Sequence, residues 1–206
     1  MIAARRHDFL RVDPAALRDD PRLADWAGVG RPFVQRAGIA PEGMVLLGWC
    51  PPPGTGPRRV GFAAPASAIL GRHRPPHLGD AIGTAPEAWQ GRLRQMLAEG
   101  QALGLGLRIY GSLAWSAFTG LPYLREGSDL DLLIEGWGRG DPTRETAFLT
   151  GLQTHITPRI DGEIVLATGE AISWREMLGT TPQVLLRGMR GPRLVSRAGL
   201  MVGAAA

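Results

Sequence analysis

The chain has 206 residues, of which 44% are hydrophobic and 20% are charged, and its formal net charge is +4. This length fits one large domain or two small ones, and the small positive charge does not indicate a nucleic acid polymer as the partner. All 23 basic residues are arginine, so every cation is a planar fork suited to phosphate groups. The sequence contains no apolar run of membrane-span length and no signal-peptide core. We therefore expect a cytoplasmic protein without a membrane partner.

The first part of the chain, residues 1–80, has the pattern of a small mixed α/β domain. Its N-terminal stretch predicts a first strand or turn, and residues 13–30 predict a short helix followed by a Gly-rich loop. Residues 44–50 and 59–63 predict two strands of a hairpin, joined across a Pro- and Gly-rich turn. Residues 71–86 have the composition of a linker.

The second part, residues 86–206, alternates between helical and strand patterns. The predicted helices begin at Pro86, Ser112, Asp141 and Gly169, and the predicted strands cover residues 105–110, 128–134 and 159–166. A last strand and an irregular tail complete the chain. We therefore predict an α/β (α+β) protein, in which helices flank a short mixed sheet and a small N-terminal α/β unit precedes it.

Two acidic residues open the second of these strands. Side chains two positions apart on a strand point to the same face, so Asp129 and Asp131 are expected side by side on an otherwise apolar strand. Neighbouring carboxylates repel each other and resist burial. A hard cation such as Mg2+ relieves both effects, because it takes oxygen ligands and bridges to phosphates. The pattern predicts a Mg2+ site at Asp129 and Asp131.

Gly111 and Ser112 stand between a predicted strand and a helix, where backbone N–H groups can bind a phosphate. The third acidic strand contains Asp161 and Glu163, and either could supply a third carboxylate to a two-metal phosphoryl-transfer site. We favour Asp161, because it lies nearer the start of its strand, as Asp129 does. The candidate contacts to a triphosphate are Arg125, Arg159 and Arg175.

A Gly-Ser turn, an Asp-x-Asp strand and a later single acid resemble the nucleotidyltransferase superfamily of the DNA polymerase β type. A more specific resemblance comes from GSLAWSAFTGLPYLREGSDLDLL, with SWRE downstream and RHDFLRV and RPFVQR near the N-terminus. These segments are similar to the malonate decarboxylase holo-acyl carrier protein synthase family, also called phosphoribosyl-dephospho-CoA transferase. The resemblance covers nearly the whole chain and is strongest over residues 108–176.

The resemblance implies a nucleotidyltransferase-like fold and a defined reaction. Members of that family transfer phosphoribosyl-dephospho-CoA from 2'-(5''-triphosphoribosyl)-3'-dephospho-CoA to a serine of the apo acyl carrier subunit of malonate decarboxylase, and diphosphate leaves. By this resemblance Asp129 and Asp131 bind Mg2+, either Asp161 or Glu163 supplies the third carboxylate, and Gly111 and Ser112 hold the departing phosphates.

Two alternatives remain open from the sequence. One is an ATP-dependent nucleotidyltransferase that acts on a small molecule, and the other is a non-catalytic binding module with the same fold. Retention of Asp129, Asp131 and an acidic third strand argues against the binding module. The sequence does not indicate an oligomeric state.

Overall fold

The computed structural model describes residues 5–56, 59–153 and 157–203, with side chains as far as Leu200. Pro57 of the predicted hairpin turn lies outside the described residues, as do residues 154–156 at the end of the helix predicted from Asp141. Within the described ranges, no helix is long and apolar enough to cross a membrane.

An antiparallel sheet is built from the first part of the chain. Its strands are β1 (Phe9–Val12), β2 (Phe33–Gln35), β3 (Met44–Trp49), β4 (Val60–Pro65) and β5 (Ile69–His73), in the spatial order β4-β3-β2-β1-β5. The helix α1 (Pro21–Gly28) precedes β2, and the Asp20 side chain caps it by accepting from the Arg22 backbone N–H at 3.1 Å. The predicted helix is confirmed, and so is the hairpin of β3 and β4.

The segment expected to be a linker, residues 71–86, is instead structured. Part of it belongs to β5, which pairs with β1. Pro75 and Pro76 then run along the edge of the second sheet, where the Pro76 carbonyl accepts from the Ile109 N–H at 2.9 Å. Prolines suit this position because an edge segment can contribute carbonyls without donating. A short helix, α2 (Leu78–Ala81), follows.

The second sheet has six strands. In chain order this part contains α3 (Glu87–Ala102), β6 (Gly106–Tyr110), α4 (Gly111–Thr119), β7 (Leu130–Glu135), α5 (Pro142–Leu152), β8 (Ile160–Val165), β9 (Ala171–Ser173), α6 (Trp174–Leu178), β10 (Gln183–Gly188), β11 (Gly191–Ser196) and α7 (Arg197–Gly203). The strand order is β11-β10-β9-β8-β7-β6. Only β7 and β8 are parallel among these strands, because α5 returns the chain to the same end of the sheet.

The predicted α+β class and mixed sheet are confirmed, with two differences near the C-terminus. The segment predicted as a helix from Gly169 begins with β9, and only its second half is the helix α6. The expected irregular tail is the strand β11 followed by α7. Both differences have one cause: β9 has three residues, and β11 pairs with β10 across a tight turn, so neither leaves a long periodic pattern in the sequence.

The two faces of the second sheet differ in polarity. Along β7, Leu130, Leu132 and Ile134 are fully buried, while Asp131 and Glu135 alternate with them on the other face. On the buried side α3 packs so closely that a Cβ atom on Gly100 would lie 2.9 Å from Leu107. The opposite face is left for charged residues, and it carries the candidate site.

The two sheets share one hydrophobic core. Phe9 of β1 meets Trp115 of α4 edge to face, with ring centroids 5.2 Å apart. Both rings belong to a continuous cluster of buried side chains that includes residues from both sheets. The first sheet is therefore held against the second by apolar packing.

Candidate functional site

Three polar side chains stand in a row across the second sheet. Tyr110 at the end of β6 lies opposite Asp131 of β7, and Asp131 lies opposite Asp161 of β8. Residues in register on neighbouring strands point to the same side of a sheet. The antiparallel and parallel pairings therefore bring these three groups together, although more than 20 positions separate Tyr110 from Asp131.

Asp131 is the acid whose environment opposes ionisation most clearly. Burial raises its pKa to about 6, and the neighbouring carboxylates of Asp161 and Asp129 add to this effect. Burial also raises the pKa of Tyr110, and the carboxylates of Glu163, Asp131 and Asp161 add to this effect. The site thus concentrates negative charge where solvent is partly excluded, a condition that favours binding of a cation.

Gly111 fixes the distance between the first turn of α4 and the Asp131 carboxylate. Its φ of +64° suits glycine, and a Cβ atom at this position would lie 1.9 Å from Asp131 Oδ2. No side chain larger than hydrogen fits there without displacing the carboxylate. Ser112 follows as the second residue of α4 and is half-buried. The first turn of α4 therefore starts directly beside Asp131.

Asp129 lies one residue before β7 and faces an arginine. Arg159 Nε donates to Asp129 Oδ1 at 2.8 Å, and a second contact joins Arg159 Nη2 to Oδ2. The hydrogen bond from Arg159 lowers the pKa of Asp129. Asp129 lies outside β7 but close enough to raise the pKa of Asp131, and its own charge is balanced by Arg159.

Asp161 is half exposed and has a looser arginine neighbour. Its Oδ1 accepts from the Gly162 N–H at 2.8 Å, and Arg175 Nε lies 3.8 Å away. The Arg175 guanidinium lies over the Trp174 ring, 4.3 Å from its centroid, and donates to the Ile160 carbonyl at 2.5 Å. Arg159 and Arg175 therefore flank the acids, and their role as phosphate ligands stays a prediction.

Glu163 has a different environment from Asp161. It is buried, and Arg6 Nη1 donates to both of its oxygens at 3.2 and 2.9 Å. Arg187 Nε lies 3.7 Å away. Burial alone would raise the pKa of Glu163, but the adjacent His7 and Arg6 outweigh it and the pKa is lowered. This arrangement favours Asp161 over Glu163 as a third metal ligand, since Glu163 is already paired with Arg6 and Arg187.

Arg125 belongs to a loop and not to the strands that carry Asp131, Asp161 and Glu163. It is exposed in the loop after α4, four positions before Asp129. Its backbone N–H donates to Ser128 Oγ at 2.9 Å, which makes a tight turn. The structure assigns Arg125 to the loop that leads into Asp129.

The sequence did not identify His7 as a site residue. Its ring packs against Tyr110 with centroids 4.1 Å apart and an interplanar angle of 34°, and its Nε2 lies 3.4 Å from Glu163 Oε2. Its backbone has a φ of +68°, which a non-glycine residue adopts rarely. RHDFLRV marked this stretch as a family resemblance, but spacing alone could not connect it to β8.

The carboxylate oxygens of Asp131 and Asp161 are of the ligand type that a hard divalent cation binds. Among the described residues, no group of three or more His, Cys, Asp or Glu side chains is arranged as a metal site. Asp131 and Asp161 offer carboxylate oxygens from facing strand positions, which is the ligand type that Mg2+ takes. Asp129 would join them only by separating from Arg159.

An α+β fold with paired carboxylates beside a tight glycine turn, flanked by arginines, suits a transferase that acts on a phosphorylated substrate. Residues 77–198 match the family model described as the phosphoribosyl-dephospho-CoA transferase MdcG C-terminal domain. Residues 5–75 match its N-terminal domain. The chain belongs to the phosphoribosyl-dephospho-CoA transferase family, and the family resemblance in the sequence is confirmed.

Individual relatives align with this chain over most of its length. A phosphoribosyl-dephospho-CoA transferase of Xanthomonas campestris pv. campestris (strain 8004) is 40% identical over 185 residues, which cover 87% of this chain and 85% of that protein. One of Bradyrhizobium diazoefficiens is 34% identical and covers 97% and 93% of the two chains. One of Pseudomonas putida (strain W619) is 31% identical and covers 95% of each. No solved structure matches this chain.

Proposed function

We propose that this protein transfers phosphoribosyl-dephospho-CoA from 2'-(5''-triphosphoribosyl)-3'-dephospho-CoA to a serine of the apo acyl carrier subunit of malonate decarboxylase. The new bond joins the serine oxygen to the α-phosphorus of the donor. The bond between the α- and β-phosphates breaks, and diphosphate leaves together with the hydroxyl proton. In this proposal the enzyme depends on Mg2+ and has the chemistry of a nucleotidyltransferase.

One observation carries the proposal beyond the family assignment. Asp131 and Asp161 occupy opposed positions on parallel strands, and Gly111 brings the first turn of α4 against Asp131. Carboxylates beside the start of a helix suit a triphosphate, because metal ligands and phosphate-binding N–H groups then face one substrate.

Each group in the site has a role in this scheme. Asp131 and Asp161 would hold Mg2+, which when bound neutralises phosphate charge and lowers the pKa of an attacking hydroxyl. The Gly111 N–H and the Ser112 hydroxyl would hold the departing phosphates. Arg159 would exchange Asp129 for a phosphate oxygen, since a guanidinium binds both groups with the same fork geometry.

The carrier partner is supported by charge. All 23 basic residues are arginine and the net charge is +4, which suits a docked acidic protein. A cytoplasmic location, where the carrier would be met, stays a prediction.

Intact-mass spectrometry of the carrier tests the reaction. Apo carrier subunit is incubated with this protein, Mg2+ and the triphosphoribosyl donor, and a mass gain of one phosphoribosyl-dephospho-CoA unit is expected. The gain should disappear with EDTA and with Asp131→Asn. An unmodified carrier, with folded protein and intact donor, would contradict the proposal, and adenylylation of a small molecule from ATP would replace it.

A further inference from the structure

A cavity next to the acids brings together cations from distant parts of the chain. It lies on the polar face of the second sheet, and its charged lining residues are Arg5, Arg6, His7, Arg74, Glu163 and Arg187. The cavity is partly open, and its enclosed volume is about 20 Å3. That volume holds one group of the size of a water molecule, which is also the size of a single phosphate oxygen.

Two guanidinium donors around this cavity are shielded from solvent and lack a hydrogen-bond acceptor. Arg74 Nε and Arg187 Nη1 have no hydrogen-bond partner among the described residues, although Arg74 Nε lies 3.8 Å from Asp8 Oδ1, which is also buried without a hydrogen bond. Shielded donors without acceptors are rare in native proteins. A bound anion would supply acceptor oxygens to these two guanidinium groups.

The charge of the lining also favours an anion. Glu163 is shared by Arg6 and Arg187, while Arg74 contacts Glu135 outside the lining. Arg5 lies 3.9 Å from the same Glu135 oxygen. Arg74 Nε also lies 3.8 Å from Asp8 Oδ1, and Arg187 Nη2 lies 3.5 Å from Glu176 Oε1. Arg72 and Arg108 pair with Asp8 and Glu135 in turn. Six guanidinium groups therefore share four carboxylates, which leaves an excess of positive charge around the cavity.

The cavity lies near Asp131 and Asp161, the acid pair that faces across β7 and β8. Glu163 and Asp161 lie two residues apart on β8 and point to the same face, a separation of about 7 Å along the strand. An anion held at the cavity would lie within one substrate length of Asp161. We propose that this cavity binds a second phosphoryl group of the nucleotide-like donor, whose oxygens accept from Arg74 and Arg187.

The identity of the donor rests on the proposed function, and the donor carries two candidate groups. One is the terminal diphosphate of its triphosphate, and the other is the diphosphate that joins adenosine to the pantetheine arm. Both present the same phosphoryl oxygens to arginine, so binding measurements with separate probes distinguish them.

Calorimetric titration of the full chain in EDTA tests the cavity without metal-dependent binding. The probes are inorganic diphosphate, inorganic triphosphate and dephospho-CoA. Arg187→Gln and Arg5→Gln should each weaken binding of the preferred probe about tenfold, as expected for one lost charge-assisted hydrogen bond. Arg193→Gln is the matched control, because Arg193 is an exposed arginine of β11 that pairs with Glu170. It should bind like wild type.

The set of probes that bind and compete identifies which diphosphate of the donor occupies the cavity. Binding of diphosphate and triphosphate without competition from dephospho-CoA assigns the cavity to the triphosphate end, and competition assigns it to the adenosine diphosphate. Wild-type affinity in folded Arg187→Gln and Arg5→Gln would overturn the proposal, as would failure of the wild type to bind any probe. If Arg187→Gln does not fold, Arg5→Gln decides. Arginine-dependent binding combined with an unmodified carrier would refute the proposed function alone.

Discussion

Gly111 and Asp131 are packed so closely that the backbone of one determines the side-chain position of the other. A Cβ atom on Gly111 would lie 1.9 Å from Asp131 Oδ2 and 2.9 Å from its carboxyl carbon. The start of α4 and the acid on β7 therefore form one rigid unit. In the proposed reaction this unit sets the distance between the phosphate-binding turn and the metal-binding carboxylate.

Gly111→Ala should reduce carrier modification at least about 100-fold, because the new methyl group displaces the Asp131 carboxylate from its place beside the turn. Gly120→Ala is the matched control, since Gly120 has a similar φ of +69° with nothing within 4 Å of its added Cβ. Both variants should lose about 1 kcal/mol of stability from backbone strain. Equal activities of the two variants would show that the contact with Asp131 is irrelevant.

Asp131→Asn should abolish transfer and stabilise the metal-free protein near pH 7. The pKa of Asp131 is raised from 3.8 to about 6 in the folded state, so its ionised form opposes folding by up to about 3 kcal/mol. The wild type should therefore gain stability, relative to this variant, as the pH falls from 7 towards 4. Urea denaturation at several pH values in EDTA measures the difference.

Asp129→Asn is the control for that pH series, because the stability contribution of Asp129 should change with pH in the opposite direction. The pKa of Asp129 is lowered by Arg159, so its contribution is present above the ordinary aspartate pKa and is lost as the pH falls through its folded value. The effect should be small, because Arg159 is exposed. A stability gain from Asp129→Asn at pH 7 would contradict this assignment.

Glu163→Gln should destabilise the protein by about 2–4 kcal/mol, because it leaves Arg6 partly buried without its carboxylate and leaves Arg187 with Glu176 alone. Glu170→Gln is the comparison, since Glu170 pairs with the more exposed Arg193 and should change stability by less than about 1 kcal/mol. Guanidinium denaturation of both variants gives the two values. Similar stabilities would mean that Glu163 does not anchor the N-terminal residues.

Asp161→Asn should raise the Mg2+ concentration required for half-maximal transfer by about tenfold or more, since it removes a ligand oxygen. Glu163→Gln should leave this concentration near the wild-type value, because Glu163 contacts arginines instead of the acid pair. Metal titrations of carrier modification distinguish the two. A larger shift in Glu163→Gln than in Asp161→Asn would reverse the choice of third ligand.

The positions of Asp129, Asp131 and Gly111 could be predicted from the sequence because they belong to local patterns. Asp129 and Asp131 stand at the start of an apolar run, and Gly111 follows a strand-like stretch. Strand period and turn chemistry suffice to place such residues at the ends of elements. The facing of Asp131 and Asp161 then follows from the parallel pairing of their strands.

The contacts of Glu163 could not be predicted in this way. Its partners lie near the N-terminus and on β10, and no periodicity connects residues so far apart in sequence. The strand β5 was missed for a related reason: its five residues are followed by two prolines, and their composition suggested a linker. Tertiary pairing with β1 decided the structure there, not local propensity.

The contact between Arg6 and Glu163 spans 157 positions, and this separation has a consequence for biosynthesis. The N-terminal residues leave the ribosome long before β8 and β10 are synthesised, so Arg6 cannot pair with Glu163 during most of translation. A product terminated before β8 would lack both Asp161 and Glu163, and one terminated before β10 would lack Arg187. We expect such fragments to be inactive, so partial synthesis of this chain would yield no partially active enzyme.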